Sequence, residues 1–127
     1  MGHLIEAERR GFAGRIREIL ATDEPRLLAW DQAAVAAARD DRAADPVVLV
    51  AELRAVRLDG IALVRGLAPA DLARVGRHPA VGPLRVDELV AEWVHHDRMH
   101  LRQALGTAQA WAWTRMGGTR RFSDPTA

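Results

Sequence analysis

The stretch VDELVAEWVHHDRMHLRQALGTAQAWAWTRM, residues 86–116, contains no proline and one interior glycine, Gly106. It is the longest uninterrupted helical pattern in the chain and predicts a single long helix. Side chains three and four residues apart share one face of a helix. We predict that one such face packs against the core, with two histidines in its middle. Its members are Leu89, Trp93, His96, His100, Gln103 with Ala104, Thr107 and Trp111.

Two more helical patterns occupy the first third of the chain. A broad apolar face at Ile5, Phe12, Ile16 and Ile19 predicts a helix over about residues 3–20. The sequence Thr-Asp-Glu-Pro at 22–25 ends it. The alanine-rich residues 31–42 predict a short helix.

The pair Asp45-Pro46 predicts the start of a further long helix, because an acidic cap precedes a proline at the first helical position. Apolar residues then recur at steps of four and three up to Leu67, which favours packing against neighbouring helices. Residues 69–75 predict one or two more turns, and RHPAVGPL at 77–84 predicts a loop. The expected fold class is all-α, with three long helices and one or two short ones. We expect one helical domain over residues 1–118 and a flexible tail over residues 119–127.

Composition excludes several classes of function. The chain has no cysteine, so only histidine, aspartate and glutamate remain as metal ligands, and no lysine for Schiff-base chemistry. A net charge of +1 argues against a nucleic-acid partner. No stretch approaches the roughly 20 apolar residues that span a bilayer. Charged residues in MGHLIEAERR occupy the place of a signal peptide's apolar region. We therefore expect a cytoplasmic protein without a membrane partner.

His96 and His100 form an H-x-x-x-H pair within HDRMH. Residues four apart on a helix lie about 5–6 Å apart at Cβ, so two imidazoles can reach one metal ion. The pair lacks the glutamate of the H-E-x-x-H metalloprotease motif and carries Asp97 instead. Two core histidines bonded to protein groups would have the same spacing. Spacing alone leaves both explanations open, and the position of the pair in an apolar stripe slightly favours the metal.

Three segments together resemble the DinB-like (DinB/YfiT) family: MGHLIEAE, GRHPAVGPLRVDEL and AEWVHHDRMHLRQA, in that order. The resemblance covers about residues 1–105. It implies an antiparallel four-helix bundle of up-down-down-up type, often dimeric, with a divalent metal ion held by three histidines. Matched residue by residue, the ligands would be His3, His96 and His100, and the ion zinc, nickel or a similar metal. Glu8 would correspond to an acid that orients a ligand or acts as a base, although an exposed helix glutamate is the simpler interpretation.

The implied site has a catalytic donor set. Three neutral imidazoles leave the ion its full charge and at least one open position, where water or a thiol loses its proton readily. The resemblance thus implies a metal-dependent hydrolase or a transferase of low-molecular-weight thiols, acting on a small molecule. The alternative is a non-catalytic helical module for oligomerisation or ligand binding, with its histidines bonded to protein groups.

The family normally carries a full helix before the one that supplies the first histidine, whereas this sequence begins Met1-Gly2-His3. Either a native helix precedes these residues or a partner subunit completes the bundle. An incomplete bundle would expose an apolar flank, and a large exposed apolar patch favours association. We therefore expect a homodimer.

Overall fold

The structure, a computed structural model, describes residues 1–124. The chain divides into two compact units, Met1–Ala91 and Glu92–Ala127. The described residues are predominantly helical, which confirms the expected all-α class. Within residues 1–124, none of the helices combines the length and the apolar character needed to cross a membrane.

The N-terminal helix is continuous but not uniform. It consists of α1 (Gly2–Glu6), a π-helical segment (Ala7–Phe12) and α2 (Ala13–Ala21). The predicted helix is confirmed, but its π-helical segment was not foreseen. The π-helical segment leaves no room for a side chain at Gly14, because a Cβ built there would lie 2.2 Å from the carbonyl oxygen of Arg9. Single π-helical turns inside α-helices occur frequently at functional sites.

The next two helices each begin at an aspartate cap, of which the sequence predicts the one at Asp45. The Asp31 carboxylate accepts hydrogen bonds from the backbone N–H groups of Ala33 and Ala34, and α3 follows (Gln32–Arg39). Asp45 accepts one from the N–H of Val47 at the start of α4 (Pro46–Arg65). Each cap satisfies N–H groups that the first helical turn leaves without a partner.

A β-hairpin replaces the loop predicted over residues 77–84, so that prediction is wrong. After a short 3-10 helix (Asp71–Ala73), strands β1 (Val75–His78) and β2 (Gly82–Arg85) pair antiparallel. Gly82 takes a φ of 81° in the left-handed region, which glycine adopts without strain. The backbone of Arg77 also bonds to Pro25 and Leu27, so the other edge of β1 is paired with a distant segment. The hydrophobic core of the unit Met1–Ala91 includes four fully buried residues, Ile5, Ile16, Ile19 and Val86.

Helix α5 (Val86–Trp113) confirms the predicted long helix, and a second 3-10 helix (Gly117–Phe122) follows it. Its predicted core-facing stripe is correct only in its first half. Leu89 and Trp93 are buried and the two histidines are half-buried. The later members are exposed, which corrects the prediction for Gln103, Ala104, Thr107 and Trp111. Residues 125–127 of the predicted tail lie outside the described residues, and its flexibility stays a prediction.

Candidate metal centre

His96 and His100 lie on adjacent turns of α5 with their rings turned towards each other. Their Nε2 atoms are 3.2 Å apart, and the ring centroids are 4.5 Å apart with the planes at 69°. Both side chains are half-buried. Without a metal ion, a bond at this distance needs one ring to donate a proton and the other to accept it. The spacing of four residues thus brings the Nε2 atoms of the two imidazoles close together.

This separation fits two ligands of one ion. With Zn–N bonds of about 2.0–2.1 Å and tetrahedral angles, two ligating nitrogens lie about 3.3 Å apart. The observed Nε2–Nε2 distance is 3.2 Å. Imidazole nitrogen suits zinc and nickel among the divalent metals. The pair therefore fits a divalent ion in both distance and donor type.

His3 is the third predicted ligand and lies in α1. Its exposed side chain stacks on Trp30, with ring centroids 6.2 Å apart and planes at 25°. A cavity of about 30 Å³ lies beside it, lined in part by Gly2, Glu6 and Arg39.

Glu8 differs from its simpler interpretation as an exposed helix residue. Its side chain is buried in the π-helical segment, with 2% of the residue exposed. One carboxylate oxygen pairs with the guanidinium of Arg57 on α4. The sequence could not indicate this burial, because Arg57 is 49 residues away along the chain.

A buried ion-pair network that the sequence did not predict lies beside His3. Glu6, 5% exposed, accepts hydrogen bonds from Arg10 and from Arg39, and Arg39 also bonds to Glu52 on α4. Burial raises the pKa of Glu6, but the hydrogen bonds and charges of Arg10 and Arg39 outweigh it and lower that pKa below its usual value. The network ties the start of the N-terminal helix, next to His3, to α3 and α4. The spacing Glu6–Arg10 was its only local signal.

The two remaining histidines lie outside the group. His95 is exposed, as its position on the helical wheel predicts. His78 caps the hairpin, where its Nδ1 lies 3.2 Å from the N–H of Ala80, and its Nε2 lies 3.0 Å from a guanidinium nitrogen of Arg15. Burial and the charge of Arg15 lower the pKa of His78. Its neutral form is therefore favoured, in keeping with a structural role.

Comparison with known protein families identifies the family of this chain. A family model described as the DinB superfamily matches residues 1–104. The chain therefore belongs to the DinB superfamily, as the resemblance of its three segments implies, and its fold is DinB-like.

Among solved structures, the chain is similar to YfiT from Bacillus subtilis, described as "a probable metal-dependent hydrolase with an unusual four-helix bundle topology". The TM-score is 0.79 at 21% identity, over 87% of this chain and 63% of that chain. At this identity the likeness shows the fold alone. A comparison with curated proteins found no match.

Proposed function

We propose that this protein is a metal-dependent enzyme whose divalent ion, zinc or nickel, is held by His3, His96 and His100. The observation that carries the proposal is the 3.2 Å separation of the Nε2 atoms of His96 and His100. The resemblance of the segment MGHLIEAE to the DinB-like family assigns the third ligand to His3. Membership of the DinB superfamily and the description of YfiT agree with a metal-dependent activity.

The donor set limits the chemistry. His3, His96 and His100 would hold the ion as neutral imidazoles without reducing its charge, and the ion would supply Lewis-acid chemistry. We propose that Glu8, the buried carboxylate paired with Arg57, orients a ligand or accepts a proton. These roles support hydrolysis of a small substrate or transfer of a low-molecular-weight thiol. No residue of the described chain selects between the two.

One observation favours a second candidate function. At 3.2 Å, His96 and His100 can satisfy each other by a single hydrogen bond, without an ion. The protein would then be a non-catalytic helical module with structurally satisfied histidines.

Metal content separates the two candidates. Purified protein, dialysed against zinc or nickel, should retain about one ion per chain and lose thermal stability when a chelator removes it. The His96→Ala, His100→Ala double variant should retain none and should not respond to the chelator. His95→Ala, on the same helix but exposed, is the matched control and should behave as wild type. Wild type without metal and without a response to chelation would establish the non-catalytic module.

Glu8 needs its own test. Glu8→Gln should keep the metal content and abolish turnover of any ester or thiol-transfer substrate that the wild type accepts. Unchanged turnover in a metal-loaded Glu8→Gln variant would remove Glu8 from the mechanism.

We also propose a homodimer, located in the cytoplasm. Helix α4 supports the dimer, because large apolar side chains lie exposed along it at steps of three to eight residues. They are Val47, Val50, Leu58 and Ile61, with exposures of 74%, 52%, 57% and 38%. Burying such a stripe against a second copy would remove it from water. In light scattering, the wild type should be a dimer and the Leu58→Asp variant a monomer. A monomeric wild type would contradict the proposal.

A further inference from the structure

Charge is distributed unevenly along this chain. Residues 98–123 contain five arginines and no acidic residue, whereas residues 1–97 contain 13 arginines and 16 acidic residues. The five arginines are Arg98, Arg102, Arg115, Arg120 and Arg121. The net charge of +1 for the whole chain therefore conceals a strongly basic C-terminal segment. A basic segment of this kind indicates an anionic partner.

The same segment exposes large apolar side chains. Leu101 and Leu105 on α5 are 59% and 61% exposed, Trp111 is 61% exposed, and Phe122 in the following 3-10 helix is 91% exposed. Val94, seven residues before Leu101, extends the stripe at 57% exposure. Together with the five arginines, these five apolar residues define what we term the C-terminal basic face. It combines positive charge with apolar surface.

The leucines and arginines of this face are interleaved. Arg98, Leu101, Arg102 and Leu105 line one shallow groove along the helix, together with His95. Leu101 and Leu105 lie on a different side of α5 from the His96–His100 pair, because the steps of one, five and nine residues between the two sets correspond to rotations of about 100–180° around the helix axis. Occupation of this groove would therefore not block ion binding by the two imidazoles.

Arginine and tryptophan are stacked further along the segment. The guanidinium of Arg115 lies 4.1 Å from the ring centroid of Trp111, and that of Arg120 lies 5.5 Å from the ring of Trp113. The Nε of Arg120 also donates to the carbonyl oxygen of Trp113 at 2.8 Å. Amphipathic rings of this kind favour a boundary between water and an apolar medium. The stacked cations would lie on the charged side of that boundary.

We propose that the C-terminal basic face binds the surface of an anionic lipid bilayer. The arginines meet the phosphate headgroups, and Leu101, Leu105 and Phe122 enter the boundary of the acyl region. Basic helices with exposed apolar residues associate with anionic membranes in this way, lying on the bilayer without spanning it. The expectation of no membrane partner rested on the absence of an apolar stretch long enough to span a bilayer, and that absence does not test surface binding.

Other occupants fit this face less well. A second copy on the same face would bring five arginines against five arginines with no acidic residue of the segment between them, and like charges repel. Nucleic acid would satisfy the arginines but would leave the leucine side chains without an apolar environment. The bilayer surface accommodates both kinds of side chain.

Vesicle co-sedimentation of the full chain tests this proposal. Wild type should bind vesicles of phosphatidylcholine with phosphatidylglycerol but not vesicles of phosphatidylcholine alone, and salt should weaken the binding. Arg102→Gln with Arg121→Gln should lower the partition coefficient on the order of tenfold or more. Leu105→Ser should lower it several-fold. The matched controls are Arg26→Gln with Arg42→Gln and Leu28→Ser, all exposed residues outside the face, and they should bind as wild type.

Three results would overturn the proposal. The first is failure of wild type to bind anionic vesicles at low salt. The second is an equal loss of binding in the control variants and in the variants of the face. The third is that the protein does not bind the vesicles and instead binds duplex DNA, or self-associates in a way that Leu105→Ser abolishes. Circular dichroism of each variant shows whether its helices are intact, and the exposed positions make loss of folding unexpected.

Discussion

The Nε2 atoms of His96 and His100 lie 3.2 Å apart, one turn apart on α5. A metal ion and a histidine–histidine hydrogen bond are alternative ways of satisfying these two nitrogens. The hydrogen bond needs a proton on one Nε2, whereas an ion needs lone pairs on both. Zinc binding should therefore exchange one for the other and become weaker as the pH falls.

His3 tests whether the third ligand is needed. We expect His3→Ala to weaken zinc binding by at least about a hundredfold, because loss of even a group that only supports a ligand costs 10–100-fold. Competition with a chromophoric chelator measures the affinity. Trp30→Leu removes the ring that stacks on His3 but keeps all three imidazoles, and it should cost less. Equal affinities of His3→Ala and wild type would mean that the pair binds zinc without His3.

The ion-pair network at Glu6 predicts a change in acid stability. The folded-state pKa of Glu6 is held below its usual value of 4.5, so its stabilisation is present above that pH and is lost as the pH falls below it. Glu6→Gln should lower the free energy of unfolding by about 2 kcal/mol at neutral pH. The difference from wild type should shrink towards about pH 3.

Asp59 is the control for that experiment. It pairs with Arg17, but 66% of its side chain is exposed. Because exposed ion pairs contribute little, Asp59→Asn should cost less than about 1 kcal/mol. Chemical denaturation across this pH range measures both variants, and a Glu6→Gln difference that persists unchanged in acid contradicts the linkage.

Gly14 and Gly11 offer a matched pair in the N-terminal helix. A Cβ at Gly14 would lie 2.2 Å from the Arg9 carbonyl oxygen, whereas a Cβ at Gly11 would meet its nearest atom, the Ala7 Cβ, at 3.9 Å. We expect Gly14→Ala to destabilise by about 1–3 kcal/mol through backbone displacement. Gly11→Ala should be neutral or stabilise by up to about 1 kcal/mol. Thermal unfolding checks both, and the reverse order would show that the π-helical segment is not constrained at Gly14.

His78 predicts a pH dependence near neutrality. Burial and Arg15 lower its folded-state pKa below 6.5, so the unfolded chain takes up a proton first as the pH falls through that value. Stability should therefore decrease from about pH 7.5 to about pH 5.5. His78→Gln should remove this part of the decrease, while the exposed His95→Gln should keep it. An unchanged pH profile in His78→Gln would assign the decrease to other groups.

Local chemistry made much of the fold predictable. The Asp45 cap acts on an N–H group only two residues away, so its effect is visible in the sequence alone. The spacing of His96 and His100 places them on adjacent turns for the same reason. Helical periodicity likewise determined where the long helix lies, because each of its hydrogen bonds spans four residues.

Only the tertiary structure decided features that depend on distant partners. The second edge of β1 pairs with Pro25 and Leu27, about 50 residues earlier, so its segment was predicted as a loop. Glu8 is buried because Arg57 reaches it from α4, and Gly14 is needed because the helix widens at Arg9. The long helix itself shows the same division. Its helical periodicity depends only on residues close in sequence. Burial of its apolar face requires other elements packed beside it, and from Leu101 to Ala112 every residue is exposed.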